Sequence, residues 1–161
     1  MLRRAGLVTL AAVLLAIAIT ALASATVRDS DHRGAEVLKL DFANVSATEA
    51  DLGREGFSQG DRITLLDTLS RGGERVGELG VDCVVVDLDG RTGATAQCLA
   101  TATLSGGQIT TQGLISLTDD PIQRFTLAVT GGTGDYRTVG GEVRVEEDAE
   151  GKGKIVATLL R

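Results

Sequence analysis

From residue 36 onward the chain is built from short runs in which apolar and polar side chains alternate. A period of two puts successive side chains on opposite faces of a β-strand. The first run, 36–44, sets Leu38, Leu40 and Phe42 on one face and Val37, Lys39, Asp41 and Ala43 on the other. Seven more follow at 61–70, 75–88, 94–104, 108–117, 122–130, 141–147 and 154–160. Turn chemistry separates several of them, as in Arg71-Gly72-Gly73-Glu74, Asp89-Gly90-Arg91-Thr92-Gly93, Ser105-Gly106-Gly107 and Thr118-Asp119-Asp120-Pro121. The pattern predicts an all-β chain of eight antiparallel strands with no good helix. Each strand buries one face, and closing the sheet on itself removes edges that would recruit other chains. An eight-stranded antiparallel up-and-down β-barrel over 36–161 is therefore the expected fold, with a two-sheet sandwich as its competitor. The acidic, glycine-bearing link at 45–60 is the only connection long enough to cross between two sheets.

The stretch 125–145 organises the rest. An alternating run, Phe125 to Thr130, enters Gly131-Gly132-Thr133-Gly134-Asp135-Tyr136-Arg137, and a second run leaves it through Glu142-Val143-Arg144-Val145. Gly131, Gly132 and Gly134 allow positive φ or a close approach that a Cβ would obstruct. A phosphate loop would need a helix to follow, and here a strand follows. This strand, the Gly-Gly-Thr-Gly-Asp-Tyr corner and the short link to Gly-Glu-Val resemble the matching segment of the dirigent proteins and of the allene oxide cyclase barrel family. The irregular link at 45–60 is a second point of resemblance, and the likeness spans roughly 56–145.

The resemblance implies a barrel that binds a small apolar or phenolic molecule and steers its cyclisation or stereoselective coupling. In dirigent proteins the aspartate of the same motif is associated with protonating a quinone methide, which implies a catalytic Asp135; the bland alternative is a turn residue. The arginine that dirigent proteins often place before the following glycine is Gly140 here. In allene oxide cyclases a carboxylate and a water assist ring closure inside an apolar barrel, a role that falls on Asp41 of the first strand. Dimers and trimers are common in both families, so the resemblance implies a homodimer or homotrimer. A dry cavity favours the protonated form of a carboxyl group and suits it to proton donation. The candidates by sequence are Asp41, Asp67, Asp82, Asp135 and Glu142. The competing reading is a non-catalytic secreted module whose barrel is filled.

The amino-terminal residues change the picture of compartment. Arg3 and Arg4, the apolar run 6–22 and Ala23-Ser24-Ala25 have the layout of a secretory signal at 1–25, with an uncleaved anchor as the alternative. Residues 26–35 form a polar lead-in that contains the only histidine, His32. Loss of Arg3 and Arg4 from 16 basic residues leaves 14 against 22 acidic ones, a net charge of −8. Such a surface repels nucleic acid and anionic lipid. A secreted chain without stable membrane insertion is expected.

Cys83 and Cys98, the only cysteines, lie symmetrically about the turn at Gly90–Arg91 and should face each other across a hairpin. In an exported protein that predicts a disulfide rather than a redox pair or metal site. There is no Ser-His-Asp set, no Cys-His set with a free thiol and no metal-ligand cluster, so no cofactor or metal is expected. Asp87-Leu88-Asp89-Gly90 reads as a turn rather than a calcium loop.

Overall fold

A computed structural model describes residues 34–89 and 93–161. The expected signal at 1–25, most of the lead-in including His32, and the turn at 90–92 lie outside the described residues. Eight strands follow in order: β1 Glu36–Ala50, β2 Arg62–Arg71, β3 Glu74–Asp89, β4 Gly93–Leu104, β5 Gly107–Leu117, β6 Ile122–Gly132, β7 Gly140–Asp148 and β8 Lys152–Leu160. Each pairs antiparallel with its neighbours in sequence, and β1 closes on β8 through Glu36–Leu159 to Ala43–Lys152. The sheet is a closed barrel, and the sandwich is excluded. Closure gives every strand a partner on both sides, which limits the edge open to another chain.

The largest departure from the alternation is in β1, which runs to Ala50 rather than ending at Asn44. A β-bulge between Asn44 and Ser46 shifts the register, and pairing then continues to Ala50–Arg62. Residues 44–50 are all exposed, so nothing apolar marks the extension in sequence. The link shrinks to 51–61 and is tied down by Asp61. That carboxylate accepts the main-chain N–H groups of Leu52 (2.9 Å) and Ser58 (2.6 Å) and the Ser58 hydroxyl (2.9 Å). These bonds, Leu52 first, hold the Asp61 carboxyl below the usual range, while burial opposes them.

Alternation fills the two ends of the barrel differently. At the end carrying the connections 72–73, 105–106 and 133–139, Leu69 and Leu159 are fully buried, and Val139 and Tyr136 pack with the same cluster. That end is closed. At the opposite end, where β1 stops and β7 turns into β8, the inward-facing Ile63, Ile115, Leu117 and Phe125 are only half-buried. The β5–β6 ladder also stops short on this side, pairing only 109–112 with 128–132. The barrel is thus plugged at one end and open at the other.

Candidate functional site

The interior holds a cavity of about 150 Å³ walled by all eight strands. Its size follows from the side chains that alternation sends inward. Ala100, Ala102 and Ala157 are small, and only two aromatic rings, Phe42 and Phe125, reach the wall. Phe42 lies across Gly153, where an added Cβ would sit 2.7 Å from the ring. A dry cavity of this volume accommodates a molecule on the scale of one aromatic ring, and the open end leaves room for a longer one to extend outward.

Three polar side chains interrupt the wall: Asp67, Thr111 and Glu147. Asp67 is 3% exposed and lies opposite Asn44, whose Nδ2 donates to its Oδ1 at 2.9 Å. Burial pushes the Asp67 carboxyl up, and the hydrogen bond from Asn44 opposes that shift. Glu147 is pushed up first by burial and then by the negative charges of Asp67 and Asp148. None of the ion pairs among the described residues includes either acid. Two coupled carboxyls in apolar surroundings retain a proton to higher pH than isolated ones. Chemically, this is a mostly apolar chamber whose wall carries two carboxyl groups with raised pKa values.

Of the sequence candidates, Asp67 alone lines this chamber. Asp41 is exposed on the outer face, because the alternation that turns Leu40 and Phe42 inward turns Asp41 outward. Asp82 pairs outside with Arg62 at 2.5 Å, a contact that lowers its pKa, and Glu142 pairs with Arg144 at 2.6 Å. Asp135 is exposed in a single 3₁₀ turn, Gly134–Tyr136, at the closed end. Glu147 was absent from the candidates, although extending the inward series Val143, Val145 by two residues reaches it.

The glycine corner clamps the closed end. Thr133 N–H donates to Gln108 O and Asp135 N–H to Gly106 O, each at 2.8 Å. Gly131 has φ 144° and Gly134 φ 59°. An added Cβ at Gly132 would lie 2.2 Å from Gln108 O, and one at Gly134 would lie 2.3 Å from Gly106 O. Cys83 and Cys98 face each other in the β3–β4 register and are joined as a disulfide, which also forms part of the cavity wall.

A closed antiparallel barrel with one open end, a largely apolar chamber and two acids in its wall defines a class of cavity barrels. The family model described as "Allene oxide cyclase barrel like domain" matches residues 42–156, and the chain belongs to this family. Among solved structures, the chain is similar to "Pyocyanin demethylase" at 30% identity and TM-score 0.67, covering 77% of this chain and 99% of that one. A pterocarpan synthase dirigent protein matches at 16% identity and TM-score 0.58, covering 80% of this chain and 95% of that one. The Diels-Alderase AbmU from Streptomyces koyangensis matches at 16% identity and TM-score 0.59, covering 78% of this chain and 63% of that one. The last two likenesses show the fold alone. No curated protein matches the chain.

Proposed function

We propose that this is an exported barrel that binds a small apolar or phenolic molecule in its chamber and steers cyclisation or coupling of that molecule, with the Asp67–Glu147 pair as the proton-handling group. The observation that carries the proposal is the placement of two uncompensated carboxyls in an otherwise apolar cavity. The apolar wall selects and folds the ligand, and the protonated acid donates to a ligand oxygen as the ring bond forms. The ionised partner then takes a proton from the product and passes it to the donor, so the pair ends as it began. We assign this role to the pair rather than to Asp135 or Asp41, which are exposed. Export rests on the signal-like residues 1–25, and the open chamber favours this reading over a filled shell.

The test is calorimetric binding of naphthalene, 2-naphthol and pyocyanin, the last chosen because of the 30% identical neighbour. It is accompanied by mass spectrometry of molecules that copurify with the chain. At least one aromatic should bind wild type and fail to bind Ala100→Phe, which fills the chamber. Asp67→Asn and Glu147→Gln should still bind apolar probes but lose turnover of any substrate identified among the copurifying molecules. Absence of binding by all three compounds to the folded protein would reject the chamber in favour of the shell.

A further inference from the structure

Two acids that share a cavity take different roles only when their surroundings differ. At this open end the difference is Asn44. It is the last residue of β1 in register before the bulge, directly opposite Asp67, and its Nδ2 donates both to Ser46 O at 3.2 Å and to Asp67 Oδ1 at 2.9 Å. Both neighbours are acceptors, so the amide has one satisfactory orientation, with nitrogen rather than oxygen toward Asp67. The residue is fixed from behind as well. Its main-chain N–H donates to Gly151 O at 2.8 Å, and a Cβ at Gly151 would lie 3.0 Å from the Asn44 Cβ.

Glu147 has no such partner among the described hydrogen bonds. Its cross-strand neighbours are Gln123 and Gly153. The Gln123 amide is already directed to Thr118 and Asp120, and Gly153 has no side chain. The charged groups acting on Glu147 are Asp67 and its own neighbour Asp148, both negative. Lys152 and Lys154 alternate outward from Gly153 and Ile155 on β8, and the second cross-strand neighbour of Asp67 is the apolar Leu79.

We infer that Asn44 is a positioning residue that sets the order in which the two acids lose their protons: by donating to Asp67 it favours the ionised form of that carboxyl and leaves Glu147 the better holder of a shared proton. Glu147 then faces the ligand as the donor, and Asp67 faces it as the acceptor. Burial and like charge at Glu147 act in the same sense, whereas burial at Asp67 acts against the Asn44 hydrogen bond. The assignment deepens the proposed function and rests on it for its catalytic meaning, but the protonation order itself is a property of the free protein.

The test is a carbon-13 NMR titration of the labelled Asp and Glu carboxyls in the full chain. Wild type should titrate Asp67 at lower pH than Glu147. Asn44→Ala should raise the Asp67 midpoint by about one pH unit, the scale of one hydrogen bond to a charged group. Asn44→Asp, isosteric but without the N–H groups, should raise it further. It also provides the reading if the alanine variant folds poorly. A residue with only a structural role would lower the melting temperature while leaving the order and separation of the two midpoints unchanged, and that result overturns the inference. A wild-type Glu147 midpoint below that of Asp67 overturns it equally. Failure of every aromatic probe to bind would instead strike the proposed function and leave this titration intact.

Discussion

Replacing glycines one at a time separates the two physical reasons for a glycine at the closed end. Gly131 has φ 144°, yet an added Cβ there would meet nothing within 4 Å. Gly131→Ala therefore tests conformation alone. Left-handed backbone at a residue with a Cβ costs about 1–2 kcal/mol, offset by roughly 0.4–1 kcal/mol from the stiffer unfolded chain, leaving a loss of about 1 kcal/mol. Gly132 has no positive φ but stands against Gln108 O at 2.2 Å and the Tyr136 Cβ and O at 2.8 Å. Those distances demand that β5, β6 or the 3₁₀ turn move, because two of the three atoms are backbone. Overpacking of this kind costs about 1–3 kcal/mol and more where backbone must shift, so Gly132→Ala should be the more damaging change. Gly80 of β3 supplies the control: its φ is ordinary and nothing lies within 4 Å of an added Cβ. Gly80→Ala should be neutral or stabilise by a few tenths of a kcal/mol. Urea unfolding at fixed m-value measures all three. Equal losses for Gly131→Ala and Gly132→Ala, or a loss at Gly80 as large as at Gly132, would refute the reasoning.

The remaining predictions concern the disulfide, the acids and the link. Replacing Cys83 and Cys98 by serine should destabilise by roughly 3 kcal/mol through loop-closure entropy for a separation of 15; non-reducing mass spectrometry of wild type should show two hydrogens fewer than the reduced form. The Asp67 and Glu147 pKa values are raised on folding, so the stability present below their unfolded pKa values is lost as pH rises through the folded ones. Asp67→Asn and Glu147→Gln should therefore gain stability relative to wild type at pH 8 and show little gain at pH 3, measured by thermal melts at both. Asp61 is shifted the opposite way, so its contribution is lost as pH falls through its folded value. Asp61→Ala should speed proteolysis within 51–60 at neutral pH, and an unchanged cleavage rate would mean that the link is held by something else.

How much of this was legible in sequence depended on whether a residue obeyed the alternation. Leu38, Leu40 and Phe42 point inward as their spacing requires, and the same rule repeated over eight runs is enough to specify a closed antiparallel sheet. The rule failed just after Asn44, where a bulge consumes one extra residue and the following segment has no buried face to betray it. It was set aside at Asp41, which the alternation places outside. Extended two residues past Val145, it would have found Glu147. Cys83 and Cys98 were legible because a hairpin centred on a turn pairs residues equidistant from it. The capping of the link by Asp61 was hidden, because an aspartate before a strand reads the same whether or not its carboxylate gathers N–H groups from residues 52 and 58. Asp67 was among the candidates, but its connection with Glu147 was hidden for a related reason: it comes from burial and from the charge of one acid acting on the other across strands distant in sequence.

The most direct measurement of the central claim is a crystal structure of the chain grown with 2-naphthol. The account predicts ring density inside the barrel among Phe125, Leu127 and Ile155, with the hydroxyl within hydrogen-bonding distance of Asp67 or Glu147. An interior collapsed onto itself, with naphthol bound only to the outer surface, would contradict it.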